Sequence, residues 1–350
     1  MANKYQLSSV GNATIHLGLT IKYDRQKGTL ELGNKNYIEQ VAARFSIPLD
    51  VTLTTKTPFA KPRTRLYSGE ITGEPVVGPR EQQAYRAGVG SVNWLAITNR
   101  PDLAFAISQL ARFLATPTAT HTAALVHVLK YIVMTRHHSL CYRRHAVINP
   151  AIRTAETSTF VTTNQLVGFC DADFANDVET RKSHTGFAFL INHAAVDWKS
   201  SQQRLVASSS TESEYLALFH CVKQVQYLRH LLHFLGQTQT APTPILEDNA
   251  ACICLCNSDS HESRLKHLDV HLHNARQHVA RNTITLYYVA TAYQAPQRDP
   301  VRPRSDRVGR QQGHEEGHLP LPRPVLPDRP QGRQIDSATP GDDPLEDQRR

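Results

Sequence analysis

Three acidic residues stand where a protein could gather divalent cations. Asp171 lies in an apolar stretch, Glu214 lies near the start of a long amphipathic segment, and Asp248 ends a second apolar stretch. Hard cations prefer carboxylate oxygens, which must project from rigid elements to a common point. Two such ions a few ångströms apart promote phosphodiester hydrolysis. The pattern therefore predicts a metal centre suited to that chemistry.

Asp171 and Asp248 also have structural interpretations. Asp173 points the same way as Asp171 if the segment is a strand, so either could be the ligand, and both could instead face solvent on an edge strand. Asp248, or its neighbour Asn249, could cap the helix that follows. The sequence by itself leaves these alternatives open.

Glu214 has a strong alternative as a helix cap, because Thr211 precedes it by three residues, as in a capping box. The same segment offers a second box in which Ser209 caps the helix and Glu212 completes it. In that arrangement Glu214 falls in the second helical turn and is free to face the sheet.

The elements that would position these acids form an α/β pattern. From residue 165 the apolar period changes to two, which predicts three successive strands, and a long helix follows over 208–236. A strand, further helices and a last strand complete the segment. This order predicts a mixed sheet flanked by helices.

The upstream chain is organised differently. Apolar residues alternate over 13–33, which predicts two strands around a polar turn, and a short helix follows. Three amphipathic helices are predicted next. We predict five segments: a hairpin and helix at 1–50, a linker at 51–80, a helical region at 81–145, the mixed α/β domain at 160–293 and a tail at 294–350. The tail is rich in proline and arginine and lacks aromatic residues, so we expect it to be disordered.

Charge and cysteine content bound the class of protein. The net charge is +8, and the excess lies before the tail, where arginines and acids balance. A basic folded body favours a polyanionic partner such as nucleic acid, although solubility is an alternative explanation. The six cysteines follow no secretory signal, and no apolar run is long enough to span a bilayer, so we expect an intracellular protein, cytoplasmic or nuclear.

Four spaced motifs together resemble the ribonuclease H domain of copia-type retrotransposon Pol polyproteins. The resemblance implies that Asp171, Glu214 and Asp248 are catalytic and bind magnesium or manganese, with two ions in an intact site. It implies cleavage of the RNA strand of an RNA–DNA hybrid by an endonuclease, a hydrolase that recognises backbone shape and the 2′-hydroxyl. The motifs are GFCDADFANDVETRKSHTGFAFL, WKSSQQRLVASSSTESEYLAL, ILEDNAACICL and RLKHLDVHLHNARQHV.

The resemblance also suggests residues that contact nucleic acid. Arg181 and Lys182 lie in a turn that is basic in the family too, and Lys266 and His267 match a Lys-His segment of it. Phosphate contact is one interpretation. Solvated charge at the turn, or a helix cap at the Lys-His pair, is the other.

Upstream, residues 81–145 resemble the connection region of the same polyproteins, and 1–50 resembles the end of their reverse transcriptase domain. The paired aspartates of the polymerase would precede residue 1, so we expect no DNA synthesis by this chain. A partner polymerase part of a retroelement polyprotein is therefore expected.

One departure from the family concerns a fourth metal-binding Asp, which should follow the last strand. The sequence there runs into a Pro- and Arg-rich stretch in which Asp299 and Asp306 are the nearest acids. The abrupt change of composition suggests an out-of-frame ending. We expect a site with one ion in place of two and activity reduced by orders of magnitude. A remnant that binds nucleic acid without cleaving it, or a purely structural domain, are the alternatives.

Overall fold

The computed structural model describes residues 13–59, 66–144, 164–257 and 269–289. They form two units, each built on its own sheet. The N-terminal unit comprises β1 (Ile15–His16), β2 (Leu19–Asp24), β3 (Thr29–Gly33), α1 (Lys35–Arg44), α2 (Gly69–Thr72), α3 (Pro79–Thr98), α4 (Ala104–Ala111), α5 (Ala119–Met134) and β4 (Ser139–Arg143). The C-terminal unit comprises β5 (Val167–Asp173), β6 (His184–Ile191), β7 (Ala194–Gln202), α6 (Ser210–Phe234), β8 (Thr243–Glu247), α7 (Ala250–Asn257), α8 (Asp269–Ala280) and β9 (Ile284–Tyr288).

The first predicted strand is interrupted. Leu17 and Gly18 adopt positive φ values of 47° and 81°, which form a tight turn between β1 and β2. The turn leaves Ile15 64% and Leu17 80% exposed. The expected continuous apolar face over 15–21 is therefore wrong at its start, because two left-handed residues reverse the chain. The one turn that was predicted, which contains Lys27 and Gly28, joins β2 to β3 as expected.

Strand β4 completes the first sheet and was not predicted. It pairs antiparallel with β3, in the order β1-β2-β3-β4. Its partner is distant in sequence, so no local pattern discloses the pairing. The predicted segments 1–50 and 81–145 also share one core, in which Ile38 and Val41 of α1 lie with Tyr85 of α3 and Leu125 of α5. The segment boundaries themselves stay predictions.

The second sheet has the predicted mixed topology, that of a ribonuclease-H-like fold. Its order is β7-β6-β5-β8-β9, with β5, β6 and β7 antiparallel and with β8 parallel to both β5 and β9. Helix α6 packs against one face, where Tyr215 and Leu218 meet Phe187 and Ile245 in the core. Strand β5 is central, flanked on both sides. Among the described residues, no helix has the length and apolar character needed to cross a bilayer.

The two units are joined by specific polar contacts. Trp198 of β7 donates through Nε1 to the carbonyl of Ala96 at 2.6 Å. Arg112, just after α4, donates to Asp177 at 2.9 Å, and the Asp177 side chain is only 5% exposed. Burial opposes ionisation of Asp177, but a hydrogen bond from Thr180 and the charge of Arg112 outweigh it and lower the pKa. The interface is therefore charge-assisted.

Replacing Arg112 should weaken this interface in a pH-dependent way. We expect Arg112→Ala to lower the free energy of unfolding by about 1–3 kcal/mol near neutral pH, because Asp177 loses a charged donor. Because the pKa of Asp177 is lower in the folded state, its ionisation stabilises the fold at pH values above the ordinary pKa of 3.8. This contribution is lost as the pH falls through the pKa of the folded state. The deficit should thus shrink in acid. Urea unfolding across pH checks this, with the exposed Arg80→Ala as control; an equal deficit at all pH values would contradict it.

Candidate metal centre

Asp171, Glu214 and Asp248 meet at one end of the second sheet. Each offers a carboxylate oxygen, and the three oxygens lie within 4.8 Å of one another. The parallel pairing of β5 and β8 aligns Phe169 with Leu246, so the acids two residues further along both strands reach the same level. The convergence expected from the sequence is thus present in the structure.

The competing interpretations of Asp171 and Asp248 are resolved by their neighbours. Asp171 is buried on a central strand, whereas Asp173 is exposed and accepts a hydrogen bond from Asn176. Asn249 caps α7, because its Oδ1 accepts from the amide of Cys252 at 2.9 Å. Asp248 lies beside the other two acids.

Glu214 is placed by the cap of α6. Ser209 Oγ accepts from the amide of Glu212 at 3.1 Å, and the Glu212 carboxylate accepts from the amide of Ser208 at 2.8 Å. The interpretation in which Ser209 and Glu212 form the cap is confirmed, although Glu212 returns to Ser208 rather than to Ser209. Glu214 lies two residues after Glu212, in the second turn of α6, and its carboxylate meets those of Asp171 and Asp248 at the end of the sheet.

The electrostatics of Glu214 favour a bound cation. Burial, together with the negative charges of Asp171 and Asp248, raises its pKa to about 9, against hydrogen bonds from the Ala172 amide and with Glu247. Its Oε2 atom is buried and has no hydrogen-bond partner among the described residues. A hard divalent cation would satisfy that oxygen and offset the repulsion. The donor set, all carboxylate oxygen, therefore fits such an ion.

Glu247 is a site residue that the sequence analysis did not identify. It is the last residue of β8 and is 0% exposed, and burial together with the negative charges of Glu214 and Asp248 raises its pKa. Alternation predicts that it faces away from Asp248, and it does share the side of Ile245 in the core under α6. The missing information was that α6 brings Glu214 to that side, which depends on tertiary packing.

The predicted basic residues are only partly visible. Arg181 is exposed with a positive φ of 57°, and Lys182 next to it accepts a backbone hydrogen bond from Asp177 at 3.1 Å. The exposed Arg204 lies nearby, because Gln203 donates to the carbonyl of Ser183 at 2.8 Å. We name Arg181, Lys182 and Arg204 the basic rim. Lys266, His267, Asp299 and Asp306 lie outside the described residues.

The basic rim borders the acidic cluster. Strand β6 begins at His184, which pairs with Asp173, and Asp171 pairs two positions further along the strand with Gly186. The turn containing Arg181 and Lys182 immediately precedes β6 and is therefore at the same end of the sheet as the carboxylates. Cationic groups beside a metal-binding cluster suit a polyanionic ligand.

The raised pKa of Glu214 predicts how stability varies with pH. A glutamate whose pKa is higher in the folded state than in the unfolded state stabilises the fold at pH values below its unfolded pKa of 4.5. This contribution is lost as the pH rises towards the folded pKa of about 9. We expect Glu214→Gln to flatten the fall in melting temperature over this range in the presence of a chelator. Thermal unfolding at stepped pH measures it, with the exposed Glu70→Gln as control. An unchanged slope would show that Glu214 is not the responsible group.

Comparison with known proteins finds relatives among the Pol polyproteins of transposons. The chain is similar to the retrovirus-related Pol polyprotein from transposon RE1 of Arabidopsis thaliana, with 30% identity over 278 residues, 79% of this chain and 17% of that protein. It is also 28% identical over 298 residues to the Pol polyprotein from transposon TNT 1-94 of Nicotiana tabacum, 83% of this chain and 20% of that protein. The chain thus spans about a fifth of these relatives. No protein-family profile matches it.

A shorter relative and two solved structures were also found. The secreted RxLR effector protein 161 of Plasmopara viticola is 38% identical over 144 residues, 41% of this chain and 90% of that protein. LC11-RNase H1 in complex with an RNA/DNA hybrid covers 37% of this chain and 89% of its own, at 10% identity and a TM-score of 0.28. The foamy viral protease-reverse transcriptase with RNA/DNA hybrid covers 89% and 32%, at 14% identity and a TM-score of 0.37. The fold assignment rests on the strand order and pairing.

Proposed function

Because this chain belongs to the retrovirus-related Pol polyproteins of copia-type transposons, we propose that its C-terminal unit is a ribonuclease H that hydrolyses the RNA strand of RNA–DNA hybrids with magnesium or manganese. The observation that supports this most directly is the meeting of Asp171, Glu214 and Asp248 within 4.8 Å. Each of these three residues lies in one of the sequence motifs that resemble the family's ribonuclease H domain.

In this proposal the three carboxylates hold the cation. A bound divalent ion would polarise the phosphate group of the substrate and activate a water molecule, as phosphodiester hydrolysis requires. Asp171 and Asp248 provide negative charge from two rigid, adjacent strands. Glu214 adds the third carboxylate from α6, and its raised pKa means that protons and cations compete for it. Metal affinity should accordingly increase with pH.

The basic rim would position the hybrid. Arg181, Lys182 and Arg204 carry positive charge at the border of the carboxylates and suit contacts to phosphate oxygens, which orient a duplex without reading its sequence. Recognition of a hybrid would then depend on groove shape and on 2′-hydroxyl groups. The proposed ligand is therefore defined by backbone chemistry rather than by base sequence.

A second candidate is a catalytically inactive remnant that keeps the fold and binds nucleic acid. The observation favouring it is the sequence after β9, where the family's fourth metal-binding Asp motif does not occur. Loss of one ligand would lower the affinity for a second ion and leave developing charge less neutralised. The two candidates differ in turnover, not in binding.

Asp171→Asn separates the two candidates. In the full chain we expect Asp171→Asn to abolish metal-dependent cleavage of a labelled RNA–DNA hybrid while leaving hybrid binding intact, because the amide removes a charged ligand but not the rim. Gel analysis of cleavage and fluorescence anisotropy of binding measure the two properties. Asp173→Asn, exposed on the same strand, is the matched control and should cleave like the parent. A parent chain that binds but never cleaves would favour the inactive remnant.

The basic rim can be tested by salt dependence. We expect Lys182→Ala to weaken hybrid binding about equally for different sequences and to reduce the slope of log K against log salt by about one, as for the loss of one phosphate contact. Anisotropy titrations over a range of NaCl concentrations measure the slope. Arg25→Ala, exposed on the other unit, should leave it unchanged. An unaltered slope for Lys182→Ala would remove this residue from the interface.

A further inference from the structure

The segment between β5 and β6 carries two of the three cations of the basic rim. It spans residues 174–183, includes Arg181 and Lys182, and contains no helix or strand. Arg181 adopts a left-handed backbone conformation with a φ of 57°, which is unfavourable for a residue with a side chain and persists only where the surroundings hold it. The bonds that fix this segment therefore determine how the two cations are presented.

Asp177 is the residue on which these bonds converge. Its amide donates to the carbonyl of Lys182 at 3.1 Å, which closes the turn. Its side chain is 5% exposed, and the Oδ2 atom accepts hydrogen bonds from Thr180 at 2.5 Å, from Gln202 of β7 at 2.5 Å and from Arg112 at 2.9 Å. Asp177 thus ties the segment to itself, to the second sheet and to the N-terminal unit.

Arg112 is the charged donor among these three, and the N-terminal unit holds its guanidinium group. The Nη1 atom donates to Oε1 of Gln109 at 3.2 Å, and the group lies over the ring of Phe113 at 5.2 Å from the centroid. A hydrogen bond from a charged donor to a carboxylate is about twice as strong as one between neutral groups. Removal of Arg112 would therefore leave a buried carboxylate with weaker partners.

A second bond from the N-terminal unit reaches the same segment. The amide of Ser68 donates to the carboxylate of Glu179 at 2.5 Å. Asp177 and Glu179 are thus both held by the N-terminal unit, through donors from two different parts of its chain. The C-terminal unit supplies the cations of the segment, and the N-terminal unit supplies part of what fixes its shape.

We propose that Arg112 is a positioning residue for nucleic acid: by binding Asp177, it holds segment 174–183 in the conformation that presents Arg181 and Lys182 beside the carboxylates. This inference rests on the proposed function, in which the basic rim contacts the hybrid. Arg112 acts through Asp177 rather than on the hybrid, because its side chain is 20% exposed and both of its terminal nitrogens are engaged within the protein. The N-terminal unit then contributes to hybrid binding through a turn that belongs to the other unit.

The test measures binding of a labelled RNA–DNA hybrid to the full chain by fluorescence anisotropy, in chelator and over a range of NaCl concentrations. We expect Arg112→Met to bind at least about five-fold more weakly at about 0.1 M NaCl, with the slope of log K against log salt reduced by about one to two, because the cations of the segment no longer meet their phosphates. Arg112→Lys keeps a charged donor and should bind within about three-fold of the parent.

The matched control is Arg86→Met. Arg86 is an exposed arginine of the same unit, and its Nε atom donates to the carbonyl of Leu114 at 2.8 Å. The substitution removes the same charge without touching segment 174–183, so the variant should bind the hybrid like the parent. Binding of Mn²⁺ alone by Arg112→Met, measured by titration calorimetry, should stay within about two-fold of the parent, because the carboxylates lie on β5, α6 and β8. A general loss of structure would weaken both kinds of binding.

Two further variants separate positioning from charge. Asp177→Asn removes a negative charge, which by electrostatics alone would tighten the binding of a polyanion. We expect it to weaken hybrid binding instead, because the new amide group places a donor among donors. The double variant Arg112→Met/Lys182→Ala should bind within about two-fold of Arg112→Met alone, since Lys182 is already displaced in the single variant.

Each contrary result has its own meaning. If Arg112→Met lowers the slope equally with and without Lys182→Ala, Arg112 contacts phosphate itself and the positioning role is wrong. If Arg112→Met binds like the parent, or if Asp177→Asn binds more tightly, the positioning role is also wrong, while the proposed function stands as long as Lys182→Ala lowers the slope. If the parent chain binds no hybrid, the proposed function fails together with the inference. Should Arg112→Met not fold, Asp177→Asn still decides the matter, because its expected weakening opposes the effect of its charge.

Discussion

Mutual repulsion among clustered carboxylates destabilises the C-terminal unit, and the rest of its structure must offset this repulsion. Asp171, Glu214 and Asp248 present oxygens within 4.8 Å of one another, and their charges also act on the buried Glu247. Like charges at such distances destabilise a fold unless a proton or a cation intervenes. The surrounding elements hold them in place: β5 is central, β8 pairs in parallel register beside it, and α6 is capped at its start.

This constraint links packing to chemistry. The core formed by Tyr215, Leu218 and Ile245 anchors α6 against the sheet, and burial on that side raises the pKa of Glu214 and of Glu247. The same burial would strengthen attraction for a cation, because the local dielectric is low. Apolar packing and acidic ligands are therefore parts of one arrangement, in which the stability of the unit and the affinity of the site are coupled.

How much of this the sequence could disclose depends on the range of each interaction. Strand alternation, the Ser209 cap and the end of a strand are local, so the positions of Asp171, Glu214 and Asp248 were predictable, as was the mixed sheet. The effect of the Glu214 charge on Glu247 and the pairing of β4 with β3 both depend on segments that are distant in sequence, and no local pattern encodes them. The turn at Leu17 was missed for a different reason, since alternating apolar residues continue across it.

The junction between the two units has a geometric consequence. Trp198 reaches the carbonyl of Ala96, Arg112 reaches Asp177, and the amide of Ser68 donates to Glu179 at 2.5 Å. The donors come from both units, and the three hydrogen bonds together restrict rotation of one unit against the other. Any ligand that contacted both units would therefore meet them at one fixed separation and orientation.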